Sequence, residues 1–372
     1  ALVRHDRYKN PAICCGVLVF GFNMNVLSET FSFGVSVSVT QLFRRVFRRI
    51  SVRFLAYLMV PGVVLMLSAC APSVHSAGPP VAQIALTPDS FQTSDGTGLA
   101  LQSWGALDRP SAVILGLHGM GDYANAFMEL GDALGPTGIA VYAFDQRGFG
   151  RSPTRPFWAG TRSMVDDASD MLILLRARYP NVPIYLLGNS MGGAVAIVTA
   201  ATRPSLMDGV VLAAPAVWDR NTMPWYQTVP LSMMSYGLPW LPLTGQGLDI
   251  WPSDNIEMLR RLSRDPQMMS AVRVDMIAGV ADLMDLAHAR AADITVPTLL
   301  LSGKQDQVIP PDAIDAIDRD LRAQNLPRYS RCLYASGYHM VLRDLNGPVV
   351  IGDIGRWITS LGTAENYSCT QS

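Results

Sequence analysis

The stretch Leu186-Leu187-Gly188-Asn189-Ser190-Met191-Gly192-Gly193 decides how this chain folds. The apolar run that leads into it, residues 184–187, predicts a buried strand, and residues 194–201 predict a helix. Gly-x-Ser-x-Gly between a strand and a helix is typical of a tight turn that lifts a serine hydroxyl above the sheet edge. Ser190 would also lie at a helix N-terminus, where unpaired backbone N–H groups favour developing negative charge. The pattern predicts a nucleophilic Ser190, and the alternative is a glycine-rich turn with an incidental serine.

Strand-like and helix-like segments alternate on both sides of this turn. Short, mostly apolar runs predict buried strands at residues 112–117, 139–144, 209–214, 297–301 and 331–334. Helices are predicted at residues 124–134, 164–179, 311–324 and 348–361. This alternation is typical of an α/β domain in which helices cover both faces of a mainly parallel sheet.

Two segments depart from the alternation. Residues 91–104 precede it and predict a strand–turn–strand hairpin. Residues 218–293 interrupt it, and they carry four of the seven tryptophans together with many methionines. We interpret this insertion as a helical lid above Ser190, whose adaptable methionines suit a flexible apolar substrate. For most of these side chains, packing of the lid against the body is the simpler interpretation.

The charge of the chain is unevenly distributed. The formal net charge is −1, but residues 1–69 hold eight Lys/Arg and two Asp/Glu, which leaves 21 and 28 for the rest. An acidic body of this kind argues against nucleic acid as a partner. The oligomeric state is left open by the sequence.

The basic excess at the front has the form of a secretory signal. Five arginines between positions 44 and 53 precede an uncharged run, residues 54–69, which ends in Leu67-Ser68-Ala69-Cys70. The run is shorter than the ~20 residues that a spanning helix needs. It resembles a bacterial lipoprotein signal, which implies that Cys70 is lipidated and becomes the first residue of the mature chain. An uncleaved membrane anchor is the alternative.

These features divide the chain into four parts. Residues 1–69 are a leader and signal segment, of which residues 1–40 have no role that we can assign. Residues 70–89 are rich in Pro, Ala and Ser and predict a flexible tether. Residues 90–362 form the catalytic domain with its insertion, and residues 363–372 are a tail.

The five cysteines lack the spacing of a metal site. Cys14 and Cys15 belong to the leader and Cys70 to the signal. Cys332 and Cys369 would remain in an oxidising compartment, where a disulfide between them is one possibility. We expect no metal and no cofactor.

A serine nucleophile needs a base and a group that orients the base. In hydrolases with this strand–turn–helix serine, the acid and then the histidine follow the serine along the chain. Of the two histidines after Ser190, His339 follows the last predicted strand, whereas His288 lies in a helical stretch of the insertion. Asp306 follows the strand at residues 297–301, at a strand end where α/β folds place catalytic groups. We therefore predict His339 as the base and Asp306 as the acid.

The oxyanion of an ester's tetrahedral intermediate needs two N–H donors. Met191 N–H, next to the nucleophile, is one candidate. Met120 N–H is the other, because His118-Gly119-Met120-Gly121 follows the strand whose loop supplies the second donor in such enzymes. His118 is expected to hold that loop in place through a hydrogen bond.

Together these motifs resemble the α/β-hydrolase superfamily, and within it the monoglyceride lipase/lysophospholipase group of serine-aminopeptidase-like hydrolases. The resemblance covers about residues 90–362. It rests on the His118 and Ser190 motifs, on Gly303-Lys-Gln-Asp306 and Tyr338-His339, and on Asp145-Gln-Arg147-Gly-Phe-Gly-Arg-Ser152. It implies an α/β-hydrolase fold with an inserted lid, a Ser-His-Asp mechanism, and structural roles for Asp145 and Arg147.

The resemblance implies a serine hydrolase that cleaves esters of apolar acyl chains, with monoacylglycerol or lysophospholipid as the favoured substrate class. A short-chain carboxylesterase, a thioesterase and a proline-type aminopeptidase remain alternatives, and so does a non-catalytic envelope lipoprotein. The lipoprotein-like signal predicts a protein tethered in the bacterial cell envelope and facing the periplasm. Ala71, which is not the aspartate of inner-membrane retention, favours the outer membrane.

Overall fold

The computed structural model describes residues 72–245, 247–324, 326, 328–361 and 367–370. The predicted leader and signal, with Cys14, Cys15 and the lipidation site Cys70, lie outside the described residues. Within the described ranges no helix combines the length and the hydropathy that a membrane span requires.

A nine-stranded sheet forms the centre of the domain. In chain order its strands are β1 (Ala85–Leu86), β2 (Ser90–Gln92), β3 (Gly98–Gly105), β4 (Ala112–Leu117), β5 (Ile139–Phe144), β6 (Ile184–Asn189), β7 (Gly209–Ala213), β10 (Thr298–Gly303) and β11 (Tyr329–Tyr334). They lie side by side in the order β1-β2-β3-β5-β4-β6-β7-β10-β11. The strands from β5 to β11 in this order are parallel, and β1, β2 and β3 join them antiparallel. The predicted mainly parallel sheet and the N-terminal hairpin are confirmed.

Eight α-helices, among the described residues, complete the alternation. They are α1 (Met128–Leu134), α2 (Thr161–Arg178), α3 (Met191–Thr202), α4 (Trp225–Gly237), α5 (Ile256–Leu262), α6 (Val274–Arg290), α7 (Pro311–Ala323) and α8 (Gly347–Leu361). The first predicted helix is divided, because a 3₁₀ turn at Ala124–Phe127 precedes α1. The other predicted helices of the alternation agree with the structure to within a few residues.

The central strands are apolar throughout because both of their faces are covered. Every residue of β4 is buried, and its side chains point alternately into two separate cores. Val113 and Leu115 belong to the larger core, which includes α2 and α3. Ile114 belongs to the core on the opposite face, which α1 and α8 cover. This two-sided burial explains why the sequence shows unbroken apolar runs rather than alternation.

The insertion contains three helices and a short two-stranded sheet, β8 (Pro242–Leu243) with β9 (Val272–Arg273). Only part of it is a cover over the strand ends. Helix α6 packs along α3, the helix that follows Ser190, and most of its apolar side chains are buried. The second half of the insertion is therefore part of the domain's helical layer.

The structure differs from the predicted flexible tether at residues 70–89. His75 N–H donates to the Trp158 carbonyl at 2.8 Å, and the His75 ring stacks on Phe157. Ala77 N–H donates to Ser163 Oγ at 2.9 Å, and β1 adds a strand to the sheet. Residues 71–88 carry no Lys, Arg, Asp or Glu, and such a segment can lie against the domain once its backbone groups find these partners. The composition indicated flexibility because these partners are distant in sequence.

Asp145 and Arg147, for which the resemblance implied structural roles, each tie loops together. The Arg147 guanidinium, which is almost fully buried, pairs with Asp167 at 2.7 Å and with Asp95 at 2.9 Å. Asp145 accepts hydrogen bonds from the backbone N–H groups of Ala124 and Arg151. The charged groups of both side chains are engaged in these contacts, in agreement with structural roles.

A disulfide joins Cys332 of β11 to Cys369, with the two Cα atoms 5.6 Å apart. This settles a pairing that the sequence left open. Next to it, Thr370 N–H donates to Asp353 Oδ1 on α8 at 3.0 Å. The described part of the C-terminal tail is thereby fixed to the back of the domain.

We expect loss of this disulfide to destabilise the domain. The bridge spans a sequence separation of 37 residues, and closing a loop of that size in the unfolded chain corresponds to about 4 kcal/mol. Urea unfolding of residues 71–372 should show a loss of up to this size for Cys369→Ser and for wild type in dithiothreitol. Dithiothreitol should not affect the Cys369→Ser variant. The same wild-type unfolding curve with and without dithiothreitol would contradict the prediction.

Candidate active site

The predicted site residues meet at one edge of the sheet. Ser190 follows β6 directly, His118 follows β4, and the loops after β10 and β11 carry Asp306 and His339. These strands are parallel, so their carboxyl ends lie at the same edge. The order of the strands, rather than closeness in sequence, brings these residues together.

Ser190 lies in a strained turn between β6 and α3. Its φ of 54° and ψ of −119° fall in a region that side-chain-bearing residues rarely adopt. Backbone hydrogen bonds hold it there: Ser190 N–H donates to the Ala213 carbonyl at 3.0 Å, and the Ser190 carbonyl accepts from Ala216 N–H at 2.9 Å. A Cβ at Gly192 would overlap the carbonyl group of Leu117, so the helix can approach β4 this closely only with glycine.

The structure brings Ser190, His339 and Asp306 into one hydrogen-bonded chain. Ser190 Oγ lies 2.9 Å from His339 Nε2, and His339 Nδ1 lies 2.9 Å from Asp306 Oδ2. Both His339 and Asp306 are buried, whereas Ser190 is partly exposed. With Nδ1–H donating to the carboxylate, Nε2 is left unprotonated and can accept the serine proton.

The loop after β10 fixes the orientation of the Asp306 carboxylate. Its Oδ1 accepts two backbone N–H groups, from Val308 at 2.7 Å and from Ile309 at 3.0 Å. Oδ2 is thereby left for the histidine. The carboxylate cannot rotate without losing both backbone bonds, so the tautomer of His339 is set by the fold of this loop.

A second buried carboxylate holds the histidine loop, and the sequence analysis did not find it. Asp344 accepts Tyr338 N–H at 2.7 Å and Ser253 Oγ–H at 2.6 Å, which links the loop to the insertion. Burial raises the pKa of Asp344 to about 6, although these two hydrogen bonds act in the opposite direction. Its position five residues after His339 was the one feature of the sequence that could have pointed to Asp344.

The two candidate oxyanion donors lie beside the nucleophile. A Cβ at Gly119 would lie 3.3 Å from the Cβ of Ser190, so the loop that carries Met120 passes close to the serine. Met191 is the first residue of α3, where backbone N–H groups have no partner within the helix. In the described part of the chain neither Met120 N–H nor Met191 N–H has an acceptor. Their role as oxyanion donors stays a prediction that this arrangement permits.

His118 holds the loop, as expected, through hydrogen bonds with the neighbouring loop after β5. Its Nε2 accepts Gln146 N–H at 2.9 Å, its Nδ1–H donates to the Gly119 carbonyl at 2.9 Å, and its own carbonyl accepts from Gln146 Nε2 at 2.8 Å. Complete burial lowers the pKa of the imidazole, so the neutral form that this pattern requires is the stable one.

A buried ion pair connects the oxyanion loop to the histidine loop. Asp122, directly after Gly121, pairs with Arg343, and Asp122 Oδ1 also accepts Tyr123 N–H at 2.9 Å. Both charged side chains are at least nine-tenths buried. The sequence analysis missed this pair because its members are 221 positions apart, although Asp122 directly follows Gly121 and Arg343 lies four residues after His339.

An apolar pocket opens on Ser190 between the sheet edge and the insertion. It is narrow, with a free volume of about 50 Å³. Its lining comes from the oxyanion loop, the start of α3, the loop after Asp306, and helices α4 and α6. The lining residues are Met120, Ser190, Met191, Ala216, Trp218, Met223, Gln227, Leu231, Ile277, Val280, Ala281, Met284, Val308 and Ile309.

The other acidic and histidine candidates lie away from this centre. His288, the other histidine after Ser190, donates from Nδ1 to the Val217 carbonyl at 3.1 Å. Asp282 and Asp285 of the insertion pair with Arg220. No cluster of three or more potential metal ligands occurs among the residues with described positions.

Three comparisons place these observations among known proteins. A model of the family "Serine aminopeptidase, S33" matches residues 108–346. Monoglyceride lipase of Mus musculus is 27% identical over 282 residues, which cover 74% of this chain and 91% of that protein. Monoacylglycerol lipase of Mycolicibacterium smegmatis is 25% identical over 283 residues, 73% of this chain and 96% of that protein. The crystal structure of Paleococcus ferrophilus monoacylglycerol lipase superposes with a TM-score of 0.59 at 27% identity, covering 70% of this chain and 98% of that one. The α/β-hydrolase fold is confirmed.

We expect Asp306→Asn to lower kcat by about 10³- to 10⁴-fold at neutral pH. The Asn oxygen would still accept the hydrogen bonds from Val308 and Ile309 N–H, so the Asn NH₂ group would face His339 Nδ1. This favours the tautomer in which the proton is on Nε2, which then cannot accept the serine proton. Initial rates on a p-nitrophenyl ester measure the effect. Asp312→Asn, on the exposed side of α7, is the matched control and should retain full activity. A loss below tenfold for Asp306→Asn would remove Asp306 from the mechanism.

Proposed function

The chain belongs to the serine aminopeptidase S33 family and is a serine ester hydrolase, and we propose that its substrates are monoacylglycerols or lysophospholipids. The observation that carries the proposal is the apolar pocket that opens on Ser190 Oγ. Two of its relatives, from mouse and from M. smegmatis, are lipases of monoglycerides. Since the chain is an enzyme, we set aside a non-catalytic lipoprotein.

In the proposed mechanism, the ester carbonyl lies above Ser190 with its acyl chain in the pocket. His339 Nε2 takes the proton from Ser190 Oγ as the oxygen attacks, and Asp306 stabilises the imidazolium that forms. The Met120 and Met191 N–H groups receive the negative charge of the tetrahedral oxygen. His339 then protonates the leaving alcohol, and the acyl group stays on Ser190 Oγ. Water attacks this acyl-enzyme with His339 as the base, and the fatty acid leaves as His339 returns the proton to Ser190 Oγ.

The composition of the pocket favours an acyl chain over the alternative substrates. A proline-type aminopeptidase must bind a charged amino terminus, and none of the lining residues is acidic. Four of the lining residues are methionines, whose unbranched side chains adapt to flexible alkyl chains.

We also propose that the protein is tethered at a membrane through a lipid on Cys70, and that its domain lies outside the cytoplasm. The signal-like sequence before Cys70 supports the tether. The Cys332–Cys369 disulfide is typical of an oxidising compartment. Ala71 favours the outer membrane of a bacterial envelope. A tether would hold the pocket close to lipid substrates.

Helix α4 supports action at a lipid surface. Trp225, Val229, Met233 and Tyr236 lie along one face of it and are between 48% and 74% exposed. The helix contains no charged residue. Its opposite face contributes Gln227 and Leu231 to the pocket. An exposed aromatic face suits the boundary between water and acyl chains, and here it belongs to a helix that also lines the pocket at Ser190.

The substrate class is tested with p-nitrophenyl esters from C2 to C16. We expect kcat/KM to rise by about 100-fold from C2 to C10, since each buried methylene contributes up to ~0.8 kcal/mol. Ser190→Ala should abolish hydrolysis of every ester and retain the wild-type circular dichroism spectrum. Monooleoylglycerol should release oleate, and proline β-naphthylamide should stay intact. A maximum at C2 to C4 would contradict the proposal and indicate a short-chain esterase.

The lipid-surface role of α4 is tested with residues 71–372, which lack the tether. We expect the triple variant Trp225→Ser, Met233→Ser and Tyr236→Ser to bind phosphatidylcholine vesicles at least about tenfold more weakly than wild type, because it loses the apolar area that enters the interface. Sedimentation with the vesicles measures binding.

The matched control replaces three exposed apolar side chains elsewhere, Val81, Ile173 and Leu333, by Ser. It should bind vesicles as wild type does. Equal binding by both triple variants would contradict a specific role for α4.

A further inference from the structure

One lining residue of the pocket does not fit an apolar acyl chain. Gln227 is 6% exposed, and its side chain lies among Met223, Leu231 and the apolar residues of α6. Apart from the nucleophile Ser190 and the indole of Trp218, it is the only described lining side chain with a strong hydrogen-bonding group.

The Gln227 amide has no partner in the described part of the chain. The residue's one recorded hydrogen bond runs from its backbone N–H to the Pro224 carbonyl, at 2.9 Å. The amide atoms do not belong to the fully enclosed polar atoms without a partner in the described residues, so solvent reaches them through the pocket. Any occupant of the pocket must therefore replace the hydration of this amide or leave the amide unpaired.

Gln227 does not have the capping role that is common for a glutamine at its position in a helix. Gln227 is the third residue of α4, where glutamine commonly reaches back to the backbone N–H of the N-cap residue. The N-cap of α4 is Pro224, which has no N–H. Gln227 therefore cannot close a capping box, and its amide is left facing the pocket beside Leu231, one helical turn further on.

We propose that Gln227 is a specificity residue that binds a hydroxyl or oxo group carried part-way along the acyl chain of the substrate. This rests on the proposed function, which places the acyl chain in the pocket. The amide offers Oε1 as an acceptor and Nε2–H as a donor, so a hydroxyl can bond to either atom and an oxo group to Nε2–H. A plain alkyl chain would instead displace water from the amide and leave it unpaired. The preferred substrates are thus esters of oxygenated fatty acids, which require a preceding hydroxylation or an incompletely reduced chain.

A positional scan of the acyl chain tests the assignment. The substrates are p-nitrophenyl dodecanoate and the positional isomers of its monohydroxy derivative, with the hydroxyl at carbon 3 or at one of carbons 6 to 12. We expect wild type to hydrolyse one isomer, or two neighbouring ones, with kcat/KM at least about tenfold above the other isomers, because only there does the hydroxyl meet the amide. Gln227→Met, close in volume and apolar, should lose this maximum and favour the plain chain.

Two further variants separate recognition from general damage to the insertion. In the background of Gln227→Met, Leu231→Gln places an amide one turn along the same face and should restore a maximum at a different carbon. Thr228→Val, next to Gln227 but outside the pocket lining, should keep the wild-type profile. A flat wild-type profile, or one that Gln227→Met leaves unchanged, would overturn the proposal.

Failure of this inference is distinguishable from failure of the proposed function. Wild type that prefers C10 over C2 but shows no preference among hydroxyl positions would retain the substrate class and lose the role of Gln227. Wild type without any preference for long chains would contradict the proposed function itself.

Discussion

The close contact between β6, α3 and the end of β4 is the constraint on which the rest of the site depends. Gly192 lets α3 start against the Leu117 carbonyl, and the strained φ of Ser190 persists because strand hydrogen bonds hold it on both sides. The strained conformation costs free energy, and the packing of the two-sided core around the central strands offsets that cost. In return, one short turn places a nucleophile, a helix N-terminus and the oxyanion loop next to each other.

The remaining site residues are positioned by pairs of loops that support each other. His118 and Gln146 join the loops after β4 and β5 through three hydrogen bonds. Asp122 and Arg343 join the oxyanion loop to the histidine loop across the insertion's edge. Such buried polar contacts contribute little net stability when they replace apolar packing. Their effect is geometric, because removing one partner would leave the other buried and unpaired.

The sequence predicted the parts of this structure that are local or that follow from strand order. Apolar runs identified the buried strands, and three short motifs were sufficient to select Ser190, Asp306 and His339. The contacts of residues 74–78, within the predicted tether, were not found from the sequence, since their partners at positions 157–163 are distant in sequence. The partners of Asp122 and Asp344 were missed for the same reason, and the Cys332–Cys369 pairing stayed open because no local pattern determines which cysteines approach each other.

Helix α4 shows how one element can connect a surface to a buried site. Its buried positions recur every four residues, and the first two of them line the pocket, whereas its exposed positions, offset by about half a turn, carry the aromatic side chains. Pro224 starts the helix and deprives Gln227 of a capping role, so the same residue that fixes the helix start frees an amide for the pocket. A membrane contact on one face and a polar contact on the other would then select substrates twice: by their location in a lipid phase and by the position of an oxygen on their chain.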